Sequence, residues 1–205
     1  IKALRTASVV CRLCARGGGL LAFGIGSNSF AFLALDQGHV TIANPITWGP
    51  APTPLRHFRS KQEGRALLSY QHLYHAGNLA DVHKHAALSW VLEYMTRKDK
   101  PLSYIETHGG RGLYDLGADE AIKTGEAAAG IAVAEPWFAP DHPYSSTLAA
   151  CRAENGATSY PGSPWIASHI LRGDDVLHIA ELHPQEFEGL YDAVPGAHVH
   201  AQDGF

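Results

Sequence analysis

Cysteine is scarce in this chain: three in 205 residues cannot build a disulfide framework, and the odd number points to a reducing, cytoplasmic setting. Acidic residues are missing altogether from residues 1–35, which carry Lys2, Arg5, Arg12 and Arg16. An apolar run able to cross a bilayer is missing too. The charge-free stretch from Gly17 to Leu35 comes nearest, but five glycines and Ser27-Asn28-Ser29 dilute it, whereas a spanning helix needs about 20 predominantly apolar residues. Neither a membrane span nor a cleaved signal is expected. Cys11-x-x-Cys14 has no second pair to complete a four-ligand metal site and no strand-helix context for a redox motif.

Apolar residues make up 45% of the chain and charged residues 18%, enough for a core and against wholesale disorder. The net charge of −4 conceals a contrast, because residues 1–66 sum to +6 and residues 67–205 to −10, with eleven of the thirteen histidines in the second segment. A boundary near residue 66 follows. Pro45, Pro50, Pro52 and Pro54 restrict their predecessors to extended conformations and read as linker.

Beyond the boundary, Leu79, Val82, Ala86, Trp90, Val91, Tyr94 and Met95 recur at helical steps and predict one apolar stripe of a helix. Asn78 is its expected N-cap with Asp81 in the capping-box position, Arg97, Lys98 and Lys100 suit its C-terminal dipole, and Pro101 stops it. Leu102–Glu106 reads as a strand, followed at once by Thr107-His108-Gly109-Gly110-Arg111-Gly112, a turn that lets a ligand approach the backbone. Short helical pieces are expected at residues 119–129 and 145–154. Alternation then resumes, with helices near 164–171 and 184–191 and strands near 176–182 and 198–201.

Such alternation predicts an α/β fold with a parallel sheet and helices on both faces. Glu181 and Asp203 then fall at the carboxyl edge of the sheet, where open α/β sheets bind ligands. A glycine-rich loop after one strand and an acid ending the next suit a nucleoside, the acid accepting hydrogen bonds from ribose hydroxyls. Histidines 75, 83, 85 and 108 raise the question of a metal, but residues two apart on a helix diverge by about 200°, so His83 and His85 cannot share one ion. No metal is expected. A histidine-centred metallohydrolase acting on nucleic acid stays open as a remote alternative.

Three blocks in order carry a resemblance: Leu67-Leu68-Ser69-Tyr70-Gln71-His72, then His75-Ala76-Gly77-Asn78-x-Ala80-Asp81-Val82-x-Lys84-His85, then Thr107-His108-Gly109-Gly110-x-Gly112-x-Tyr114. Tyr160-Pro161-Gly162-Ser163-Pro164, Glu181-Leu182-His183-Pro184 and Asp203-Gly204-Phe205 extend it. Together they closely resemble the RlmJ family, S-adenosylmethionine-dependent methyltransferases of an exocyclic adenine N6 in 23S ribosomal RNA, whose older label was a role in using external DNA. The resemblance implies a Rossmann-like class I methyltransferase sheet, incomplete here, with a helical insertion after the first strand at about residues 115–160.

It also implies site residues. His85 and His108 would line the S-adenosylmethionine pocket, Ser163 would contact the cofactor, Glu181 would hold its ribose, and Asp203 with Gly204 would meet the adenine end. Tyr70 would lie close to the RNA, with Lys84 as a phosphate contact. The family's Asp-Pro-Pro-Tyr catalytic block does not occur in the 205 residues, which implies the cofactor-binding part of the domain in residues 67–205 and no catalytic residue of its own. A noncatalytic binder of S-adenosylmethionine or nucleic acid is the second reading. Leu67 stands where the family's initiator would be, so residues 1–66 are expected to lie upstream of the native domain. Ribosomal RNA is the expected partner, with no membrane, no obligate protein partner and a monomer at the family's full length. Glu106, where the family usually has Asp, and Arg111 between two glycines depart from its pattern. An acidic segment also sits oddly with RNA, so either the family's C-terminal part supplies the positive charge or recognition relies on a small basic face around Lys84, Arg97 and Lys98. A parallel sheet cut after its third strand should leave a long open edge.

Overall fold

A computed structural model describes residues 71–204 in full and, of the earlier residues, the backbone of three strands, β1 (Val10–Ala15), β2 (Gly19–Gly26) and β3 (Ser29–Ala31). Tyr70, the proline-rich stretch and Phe205 lie outside the described residues. Helix α1 (Leu79–Thr96) leads into β4 (Leu102–Glu106). The insertion follows, as β5 (Leu113–Asp115), α2 (Asp119–Thr124), α3 (Glu126–Ala129), α4 (Ile131–Ala134), α5 (Pro143–Asn155) and β6 (Ser159–Pro161). Helix α6 (Ser163–Ile170), β7 (Val176–Ala180), α7 (Pro184–Ala193) and β8 (His198–His200) complete the fold.

The main sheet runs β3-β2-β1-β4-β7-β8. β4, β7 and β8 are parallel, with Ile105 opposite His178 and His178 opposite His198. The expected α/β architecture with a parallel sheet is present. On its other side β4 is paired antiparallel with β1, Arg12 opposite Ile105 and Ala15 opposite Leu102, which gives ladder partners to backbone groups otherwise left unmade.

Helices were expected on both faces of this sheet. Among the described residues α1, α6 and α7 all pack on one face, where Leu88, Val91, Leu92, Ile166, Ala167, Leu190 and Val194 meet Tyr104, Leu177 and Ile179. Strand order explains it. The crossovers from β4 to β7 and from β7 to β8 advance in the same direction, and right-handed crossovers that do so place their helices on the same side.

The stripe expected on α1 is also corrected. Val82, Ala86 and Val91 are buried, but Leu79, Trp90 and Tyr94 are 51%, 55% and 48% exposed, while Leu88 and Leu92 are buried. Helix α1 is gripped on two sides, by α6 and the sheet on one and by the insertion on the other. Its buried surface is therefore a wide arc, and the exposed strip holds Leu79, His83, Trp90 and Tyr94. Asn78 caps α1 as expected, accepting from the Asp81 N–H at 2.9 Å. Asp81 turns its own carboxylate to the Gly77 N–H. At the other end Arg97 is the C-cap residue with Lys98 and Lys100 after it, as expected, and Arg172 reaches across to the carbonyls of Thr96, Lys98 and Lys100.

The insertion forms a second core with α1, in which Leu73, Ala76, Val82, Ala86, Tyr114, Ile131, Ala134, Tyr144, Leu148 and Tyr160 cluster. The helix expected over residues 119–129 is two helices, because Gly125 adopts a left-handed φ of +67° and breaks the ladder. Strands β5 and β6, which the sequence reading missed, pair antiparallel with Tyr114 opposite Tyr160.

Candidate functional site

The site grows from the carboxyl ends of β4 and β7. Glycines after β4 let the chain turn tightly there: Gly110 has φ +59°, and a Cβ on it would sit 2.5 Å from the Tyr114 hydroxyl. The Gly109 N–H donates to the Ala180 carbonyl at 3.1 Å, and the Gly110 N–H to Glu181 Oε2 at 2.8 Å. Glu181 Oε1 accepts from the His183 N–H at 2.7 Å, at the start of α7. One carboxylate thus ties the glycine loop to the next helix. Its position is fixed further by its own N–H, which donates to the His200 carbonyl of β8 at 3.0 Å.

Asp203 and Gly204 follow β8 and swing back over this edge. A Cβ at Gly204 would collide with the carbonyl of Thr107, so glycine permits the close approach. Thr107 in turn meets His108, with Oγ1 2.9 Å from Nδ1. His108, Glu181, Asp203 and Gly204 therefore converge on one end of the sheet, as the sequence reading expected.

Glu106 ends β4 and is almost wholly buried. Ser163, the first residue of α6, donates its hydroxyl to Glu106 Oε1, and Tyr104 donates to Oε2 at 3.0 Å. Burial pushes the Glu106 carboxyl up to about 7, opposed by these two hydrogen bonds and by Lys84, and supported by Glu181. The departure from Asp is accommodated because the longer side chain spans from β4 to Ser163. Arg111, the other departure, leaves the loop and forks onto Glu186 of α7, at 2.8 and 3.1 Å.

His85 faces the insertion from α1, with Nδ1 3.0 Å from the Tyr160 hydroxyl, which lies 2.9 Å from that of Tyr144. Burial pushes the His85 imidazole down to about 3, against the pull of Asp81, so it is neutral at ordinary pH. One turn earlier Asp81 is 1% exposed, with His72 Nε2 at 2.7 Å and Lys84 Nζ at 2.8 Å. Burial opposes its charge, but the His72 hydrogen bond and the nearby His72 and Lys84 charges overcome that and hold Asp81 below the usual carboxylate range. Lys84, expected to meet a phosphate, is thus engaged within the protein. Of its companions on the expected basic face, Arg97 forks onto Glu93 and Lys98 lies 5.6 Å from the Tyr94 ring centre.

Sequence reasoning missed Asp81 with His72, Glu106 with Ser163, and Tyr160 with Tyr144. Each is a contact between residues far apart in the chain or between elements without periodic signal. All of these residues but Tyr144 stand in or beside the sequence blocks, yet nothing in the blocks pairs them. Among the described residues no group of three or more His, Cys, Asp or Glu side chains is arranged to hold a metal, and no helix is long and apolar enough to cross a membrane.

Comparison with known proteins bears on what this edge is for. The family model described as Ribosomal RNA large subunit methyltransferase D, RlmJ, matches residues 99–205. The chain belongs to this family. Two curated relatives carry the name Ribosomal RNA large subunit methyltransferase J. The one from Escherichia coli K12 is 40% identical over 147 residues, 68% of this chain and 52% of the relative. The one from Haemophilus influenzae Rd is 39% identical over 129 residues, 59% of this chain and 44% of the relative. The chain spans about half the length of these relatives. A crystal structure of a DUF519 protein from Legionella pneumophila aligns with a TM-score of 0.53 and 36% identity, covering 63% of this chain and 50% of that one. Methyltransferase-type α/β architecture and family membership thus agree.

Proposed function

We propose that this chain forms the cofactor-binding part of an enzyme that transfers a methyl group from S-adenosylmethionine to the exocyclic N6 of an adenine in 23S ribosomal RNA. The observation that carries this reading is the Glu181 carboxylate, held by the N–H groups of Gly110 and His183 at the end of a parallel strand. A carboxylate fixed in that way keeps lone pairs for the vicinal hydroxyls of a ribose. The chemistry of its neighbours suits the rest of the cofactor. With Glu106 ionised, Ser163 spends its proton on that carboxylate and meets a ligand as an acceptor, as an ammonium group requires. His85 and His108 line the pocket, and Asp203 with Gly204 meets the adenine end. Bound there, the cofactor supplies a sulfonium methyl; the chain's own residues orient it and exclude water.

Ribosomal RNA is the substrate this reading assigns, with Tyr70 and Lys84 the residues the family resemblance offers as its contacts. Names of the curated relatives support ribosomal RNA methylation, and the adenine N6 rests on the family resemblance. The test is to disrupt the gene in its own organism and compare the nucleosides of 23S ribosomal RNA by mass spectrometry. Loss of one N6-methyladenosine, restored by complementation, is expected. An unchanged profile would overturn the catalytic reading, and would favour a protein that binds the cofactor without turnover.

A further inference from the structure

Three buried side chains on three different elements form a polar chain that the cofactor pocket does not by itself require. His85 of α1 meets Tyr160 of β6 through Nδ1 at 3.0 Å, and Tyr160 meets Tyr144 of α5 at 2.9 Å between hydroxyls. Tyr144 and Tyr160 are fully buried and His85 nearly so. A neutral imidazole carries one proton, so the chain admits two proton arrangements. In the first, Tyr144 donates to Tyr160, Tyr160 donates to Nδ1, and the imidazole proton sits on Nε2. In the second, Nδ1–H donates to Tyr160 and Tyr160 donates to Tyr144. That direction strands the Tyr144 proton, because Tyr160 is the only hydrogen-bond partner of the Tyr144 hydroxyl among the described residues. A buried hydroxyl proton without an acceptor is costly, so the first arrangement wins.

We propose that Tyr160, braced by Tyr144, is a positioning residue: it holds His85 as the Nε2–H tautomer, so that the ring presents a neutral donor to an acceptor oxygen of the cofactor. This rests on the reading of the pocket as an S-adenosylmethionine site. Both phenols stay protonated at ordinary pH, since burial pushes their pKa values up, and so remain donors. The insertion therefore does more than fill space. Its last strand supplies Tyr160 to orient His85, and three residues later Ser163 engages Glu106, so one short segment sets two walls of the pocket.

The test reads the tautomer directly, from long-range proton–nitrogen correlations of His85 in the wild-type chain and in Tyr160→Phe. The wild type should show protonated Nε2 and unprotonated Nδ1. Tyr160→Phe should lose the single tautomer and bind S-adenosylhomocysteine about tenfold more weakly, as loss of one hydrogen bond implies. Tyr144→Phe should keep the tautomer and bind within about threefold of wild type, since Tyr160 still donates. Protonated Nδ1 in the wild type overturns the proposal, whether or not either variant folds. An unchanged tautomer and unchanged binding in Tyr160→Phe overturn it too. If the wild type binds no S-adenosylhomocysteine, the reading of the pocket fails, while the nitrogen shifts still decide the direction of the chain.

Discussion

Helix α1 divides the molecule into two cores of opposite character. Toward the sheet, its Leu88, Val91 and Leu92 meet Ile166, Ile179 and Leu190 in an interior that is aliphatic save for Tyr104. Toward the insertion, its Val82 and Ala86 meet three tyrosines, and the buried Asp81 and His85 stand beside them. The first core is a means of holding a sheet together. The second spends buried polar groups, each of which is costly unless matched, and matches them with one another. On the proposed reading, the second core is the wall that gives the pocket its shape and proton arrangement, and the first is the scaffold that holds the wall in place.

The sharpest way to break this contrast is Asp81→Ala. It leaves His72 and Lys84 without their buried partner and should cost about 3–5 kcal/mol in urea unfolding. Leu92→Ala, on the aliphatic side of the same helix, should cost about 2–4 kcal/mol through a cavity alone and leave the His85 tautomer untouched.

Glu106 stands at the seam, and its effect depends on pH. Its folded pKa of about 7 lies above the ordinary 4.5, so the folded state binds the extra proton between those values. The stability it contributes is complete below about 4.5 and lost as pH rises through about 7. Glu106→Gln, which keeps a neutral side chain, should therefore match the wild type near pH 4 and exceed it by up to about 3 kcal/mol at pH 8, read as the difference between the two unfolding curves. His85 runs the other way: its folded value of about 3 lies below 6.5, so its contribution is lost as pH falls through that window. Gly109→Ala should cost about 1–3 kcal/mol, because its Cβ would press on Ile179 and Leu190. The smallest effect belongs to Arg97→Ala, which breaks an exposed pair with Glu93 worth about 0.3–0.5 kcal/mol by thermal melting.

Much of the sheet side was legible in the sequence. Leu102–Glu106 is the strand the pattern predicted, to the residue, and the helices and strands from residue 163 onward shift by only one or two positions. Alternation and proline or glycine punctuation fix those elements locally. The insertion was legible only in part: the helix expected at 145–154 is α5, but α2, α3 and α4 are short, Gly125 splits one pair, and β5 finds its partner β6 more than forty residues away. The misread stripe on α1 has the same cause, because a helix held on two sides loses the single period that a sequence displays. Loop residues His108, Glu181 and Gly204 were placed at one edge by topology and family pattern. The pairings of Tyr160 with His85, of Tyr104 with Glu106 and of Asp81 with His72 depend on contacts that no local pattern encodes.

The most direct test of the central claim is calorimetric titration of S-adenosylhomocysteine into the purified chain, beside Glu181→Ala. One saturable site of about micromolar affinity, weakened at least about tenfold by the substitution, is the predicted result. No saturable binding, or a site indifferent to Glu181, would contradict it.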